Sequence, residues 1–112
     1  MGKLEQELTK LRDKYQRQYN LRKQLNDDLQ MWSLEGSIDA CNEILRDVNR
    51  KKALIEASLN GLEWEARERG KEQTRVRNIC YDGGRYNAVP HIRELVEKYA
   101  YETDEEAEEM NK

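Results

Sequence analysis

The fold turns on one stretch, "NICYDGGRYNAVPH" (Asn78–His91), which holds the only Pro, the only His, one of two Cys and the only adjacent Gly pair in the chain. Read as a chain reversal, it ends one helix and begins the next. Asp82 can hydrogen-bond its own backbone, and Gly83 and Gly84 supply the positive φ angles a tight turn needs. Asn87 then caps the following helix and Pro90 falls in its first turn, where backbone N–H groups lack helical partners. Read as chemistry, the stretch is short of parts. A Cys80/His91 nucleophile pair has no orienting group or oxyanion donors. A phosphate loop would need a preceding strand and a Lys. Cys80, Asp82 and His91 are one ligand short of tetrahedral zinc. We therefore expect a turn here, with no metal and no cofactor.

Working outward from this turn, the N-terminal side is periodic. Leu4, Leu8, Leu11, Tyr15, Leu25, Leu29 and Trp32 step by three and four over 3–32, the pattern of a coiled-coil-like helix, although Gln18 and Arg22 fall on the seam. "SLEGS" (Ser33–Ser37) interrupts it. Gly36 suits a helix end and Ser37 a new cap, so a turn is expected there. The periodicity resumes through Ile38, Cys41, Leu45, Val48, Ile55, Leu59, Leu62 and Ala66, predicting a long helix over 38–79, continuous through Asn60–Gly61 or broken there. Val89, Ile92, Leu95, Val96 and Tyr99 make the apolar face of a third, shorter helix over 87–103. An acidic tail, 104–112, is expected to fray.

The predicted fold is thus all-α: one helical domain over 1–112, an antiparallel helical hairpin with a shorter third helix after a Gly-rich turn. Ile44, Leu54 and Trp64 lie off the seam, and each would gain roughly 1.5–3 kcal/mol by burial. This points to a homo-oligomer, a dimer first, with an interface of Leu4, Leu8, Leu11, Tyr15, Leu25, Leu29, Trp32, Ile38, Leu45, Val48, Ile55, Leu59, Leu62 and Trp64.

Composition narrows the class further. Of 112 residues, 38% are charged and 37% hydrophobic, with no Phe and one Pro, a profile of solvated helices. No run approaches the roughly 18 apolar residues of a membrane span, and "MGKLEQELTKLR" lacks a signal-peptide core, so a cytoplasmic protein with no membrane partner is expected. Two cysteines make no disulfide framework. In one unbroken helix, Cys41 and Cys80 would stand nearly ~60 Å apart, at about 1.5 Å per residue.

Charge is uneven along the chain. Residues 67–93 carry seven basic and three acidic side chains, a net of +4, whereas 94–112 carry two basic and eight acidic, a net of −6. Arg67, Lys71 and Arg75 share one helix face, and Arg77, Arg85 and Tyr86 extend it into a candidate nucleic-acid stripe. The overall net charge of −3 opposes that reading. Carboxylate pairs at Glu65/Glu68 and Glu94/Glu97 could hold Mg²⁺, but sixteen Glu make such pairs common, and they also suit i,i+4 ion pairs. The function expected is non-enzymatic: a protein-interaction or assembly module that associates with itself or a protein partner, with a nucleic-acid-binding accessory protein as the second reading.

Overall fold

The computed structural model describes residues 2–101, and these are helical: α1 Lys3–Gln24, α2 Asp28–Leu45, α3 Lys52–Glu72 and α4 Val76–Tyr99. The all-α expectation holds. The acidic tail 104–112 and the end of the predicted helix 87–103 lie outside the described residues.

The breaks fall elsewhere than the sequence suggested. The predicted helix 3–32 stops at Gln24, because Asn26 takes a left-handed conformation (φ 55°) and the Asp27 side chain caps α2, accepting from the Gln30 N–H at 3.3 Å. "SLEGS" is then helical, inside α2. The predicted helix 38–79 is interrupted at 46–51 and 73–75, while Asn60 and Gly61 lie within α3. Gly83, Gly84 and Pro90 lie within α4, so the expected Gly-rich turn does not form and Pro90 is mid-helix.

The reason is what the glycines are for. No described glycine has a positive φ. Gly36 and Gly84 serve instead as points of close backbone approach. A Cβ on Gly36 would strike the Tyr81 carbonyl and come within 2.9 Å of the Arg85 nitrogen. A Cβ on Gly84 would strike the Ser33 carbonyl. The Ser37 hydroxyl completes the crossing by donating to the Gly84 carbonyl at 2.8 Å.

Helix directions follow from the polar contacts. Glu35–Arg77, Asp39–Tyr81 and Glu43–Arg85 ascend together, so α2 and α4 run the same way. Lys52–Glu97, Asn60–Arg93 and Glu65–Arg85 run in opposite senses, so α3 and α4 are antiparallel. The short turn between α1 and α2, with Arg12 donating to Asn42, makes those two antiparallel as well.

The core repeats along the chain. Gly36, Ala40, Cys41, Ile44 and Val48 of the first half are buried, and so, 48 residues later, are Gly84, Ala88, Val89, Ile92 and Val96. On the outer helices, buried Leu4 and Leu8 correspond to buried Ile55 and Leu59 in the same four-residue step. The crossing is reciprocal under the 48-residue shift: Gly36 meets carbonyl 81, and Gly84 meets carbonyl 33. Two identical subunits meet in this way across a two-fold axis.

Candidate functional site

The predicted interface residues divide in two. Leu4, Leu8, Val48, Ile55, Leu59 and Leu62 are buried within the single chain, with Leu11, Tyr15 and Leu45 packed half-buried against them. Those side chains pack against other helices of the same chain, where a seam between molecules was expected. Trp32 and Ile38 are half-buried. Leu25, Leu29 and Trp64 remain in solvent, at 60%, 54% and 61% exposure, joined by Leu21 at 52%.

Leu21, Leu25 and Leu29 occupy the last turn of α1, the connecting turn and the first turn of α2. Glu35 is level with Arg77, the second residue of α4, so the first two turns of α2 project past the start of α4. The projecting end is an apolar overhang. A second set of exposed apolar side chains, Val76, Ile79 and Tyr86, lies along α4, and Trp64 faces outward from α3.

The candidate nucleic-acid residues are also divided. Arg85 is buried, its side chain 6% exposed, where it ties three helices: Nη1 donates to Glu65 at 3.1 Å and Nη2 to Glu43 at 3.2 Å. Burial alone would lower its pKa, but the hydrogen bonds it donates to Glu65 and Glu43 outweigh it and hold the guanidinium above its ordinary value. Arg85 is thus unavailable to phosphate, against the loop position expected for it. Arg67 and Lys71 are exposed but share Glu68, at 3.5 and 3.1 Å, and the Lys71 hydrogen bond holds the Glu68 carboxyl below its usual range. Arg77 pairs with Glu35 at 3.6 Å. Arg75 is the N-cap of α4, and Tyr86 is 41% exposed beside Arg67.

Three of the four carboxylates in the two pairs, Glu65, Glu68 and Glu97, are taken up in ion pairs. Glu65 is held by Arg69 and Arg85, and Glu97 by Lys52 at 3.1 Å, which lowers its pKa. Among the described residues no group of three His, Cys, Asp or Glu is arranged to hold a metal. No described helix is long and apolar enough to cross a membrane.

Two concavities stand beside the ion-pair cluster. The larger, about 530 Å³, lies between the two halves and presents Tyr19, Glu35, Asp39, Arg77 and Tyr81. In it the Tyr81 hydroxyl donates to Asp39 at 2.5 Å, and burial, then that hydrogen bond, push its pKa up to about 12. Such a phenol is a poor base at neutral pH. The smaller, about 230 Å³, is a groove between α3 and α4, with Ala66, Gly70, Ile79, Gly83 and Tyr86 on its walls and Asp82 among its lining residues.

Asp82, which sequence reasoning placed in a turn, is buried instead. It is 1% exposed, and neither carboxyl oxygen has a hydrogen-bond partner among the described residues. Its closest cation is Arg85, with Oδ1 and Nη1 3.8 Å apart. The signal was present in "DGGR": if the stretch is helical, Asp82, Arg85, Val89, Ile92 and Val96 share one face, which puts a charged pair on the core side.

Comparison with protein-family models, with curated proteins and with solved protein structures finds no match for this chain.

Proposed function

We propose that this chain is a non-enzymatic helical interaction module whose apolar overhang docks on a partner helix, a second copy of the chain being the first candidate. One observation carries the reading: Leu21, Leu25 and Leu29 each expose more than half their surface at an end that projects past α4. Each of these leucines is already nearly half covered, so covering the rest offers about 1 kcal/mol apiece, roughly half the gain of full burial, set against the entropic cost of association. The test is light scattering after size exclusion across a concentration series. The wild type is expected to dimerise, and Leu25→Asp/Leu29→Asp to elute as a monomer with an unchanged helical circular dichroism spectrum. A wild type that stays monomeric at high concentration would remove the self-association reading.

The second reading, nucleic-acid binding, keeps support from the exposed Trp64, which lies one turn from Arg67 and two turns from Lys71 on the same α3 ridge. With Arg85 buried and Arg67, Lys71 and Arg77 paired to acids, fewer cations remain to track a backbone. A salt-dependent shift with a short DNA duplex, lost in Arg75→Glu, would favour it over the assembly reading.

A further inference from the structure

We propose that a groove between α1 and α4 binds a small organic acid, a carboxylate carried on an apolar body, with Arg17 and Lys14 holding the carboxylate and Leu11 and Leu95 receiving the body. The site is separate from the Leu21–Leu29 overhang, and neither depends on the other.

The likeness of the two halves is the first argument. The 48-residue shift that relates them carries Glu65, Glu43 and Arg85 onto Arg17, His91 and Ser37. Between α2 and α3, the Arg85 guanidinium from α4 is clamped by the two carboxylates at 3.1 and 3.2 Å. At the related place between α1 and α4 the sign is reversed. Arg17 and His91 both line an open groove, and Ser37, whose hydroxyl donates to the Gly84 carbonyl at 2.8 Å, sends no long side chain of opposite charge between them. A carboxylate entering the groove makes, in reversed polarity, the cluster that the other half makes with Arg85.

Charge is the second. The lining sets Lys10, Lys14 and Arg17 against Glu7 and Glu94, three cations to two carboxylates, which leaves one positive charge in excess. Lys10 is engaged with Glu7 at 3.2 Å, whereas Lys14 and Arg17 form no ion pair among the described residues. Three positions apart on α1, those two side chains are neighbours on the helix surface. One singly charged carboxylate restores the balance, and a guanidinium fork beside an ammonium suits its two oxygens. A doubly charged phosphate overshoots it.

Shape is the third. The groove encloses about 430 Å³, inside the roughly 300–1,000 Å³ range of small-molecule pockets. Leu11 and Leu95, one from each helix, are packed half-buried against the core and line the groove with the surface they retain. The counterpart of Lys14 in the other half is Leu62, which is 2% exposed. Where the second half closes this place with an apolar side chain, the first keeps an exposed cation and an apolar floor beside it.

The test is an NMR titration of the full chain, following the backbone amides of Lys14, Arg17 and Leu95, with 3-phenylpropanoate, its neutral amide, acetate, inorganic phosphate and Nα-acetyl-glutamate N-methylamide. Saturable shifts are expected with 3-phenylpropanoate, at least tenfold weaker with the amide, which lacks the charge, and with acetate, which lacks the body. Arg17→Gln should weaken the response tenfold or more, while Lys23→Gln, which removes an exposed α1 cation outside the groove, should leave it unchanged. Both variants alter exposed side chains, so the fold is retained in each. Equal binding of the amide, full binding by Arg17→Gln, or an equal loss in Lys23→Gln would overturn the site. Tenfold tighter binding of phosphate would overturn the choice of carboxylate, and tenfold tighter binding of the blocked glutamate would overturn its assignment to a free acid.

Discussion

Gly36 of α2 and Gly84 of α4 each lie against the other helix's backbone, so that a methyl group on either would collide with a carbonyl oxygen across the crossing. Gly36→Ala and Gly84→Ala should therefore each destabilise by about 3 kcal/mol, the upper part of the usual overpacking range, because the obstacle is backbone. Gly61→Ala is the control. Its Cβ meets nothing within 4 Å, so it should instead gain about 0.5–1 kcal/mol from helix propensity. Urea denaturation midpoints at constant slope will separate the two signs.

Arg85 ties α2, α3 and α4 through one guanidinium. Arg85→Met should cost about 2 kcal/mol, less than the roughly 3–5 kcal/mol of a fully buried pair, because Glu43 and Glu65 are 45% and 48% exposed and can rehydrate. Asp82 cannot rehydrate so easily, and Asp82→Asn in the Arg85→Met background should recover part of the loss. Stability of the two single variants and the double variant, measured as a cycle, checks this coupling.

The cysteines differ in environment, not in kind. Cys41 is 0% exposed, and burial pushes its thiol up to about 12, whereas Cys80 is half-buried on α4. A thiol reagent at pH 8 should label Cys80 within minutes and Cys41 only on unfolding. Rapid labelling of both would show that α2 opens readily under native conditions.

Alkali should unfold the protein by a definite route. Cys41, Tyr15 and Tyr81 are each raised to about 12, from ordinary values of 9.0 for the thiol and 10.0 for the phenols, with burial the first cause in all three. A raised pKa favours the protonated folded form, so this stabilisation is complete below about pH 9 and declines from there to about pH 12. Denaturation midpoints should fall across that window. Tyr81→Phe should flatten the fall above pH 10, since the unfolded chain then has one proton fewer to lose.

The helical class was readable from composition, and Leu4, Leu8, Ile55, Leu59 and Leu62 were readable as apolar positions on one helical face. What those positions face was not. A heptad step is the same whether the partner is a second molecule or another helix of the same chain. The glycines misled for a related reason. "SLEGS" and "YDGGRY" have the composition of turns, and only the presence of a crossing helix turns Gly36 and Gly84 into contact points. The true break after Gln24 was written in "NDD", where Asn26 tolerates a left-handed conformation and Asp27 caps, but Leu25 and Leu29 on either side kept the apparent phase. Val48 hid the break at 46–51 in the same way. At the candidate sites, Trp64 is exposed, but Ile44, placed off the seam with it, is buried in the core, while Arg85 was assigned to solvent because a residue in a turn was not expected to point inward.

The 48-residue recurrence of the buried face has a consequence for how the molecule is connected. Each half is an antiparallel helix pair that completes itself against the other, much as one subunit completes another, and 46–51 is the only covalent link between them. The linker carries no buried side chain except Val48. Cleavage between Asn49 and Arg50 should therefore leave two fragments that hold together without it, co-eluting as one helical particle. Connectivity would then set the ratio and local concentration of the halves, while the self-complementary crossing supplies their affinity.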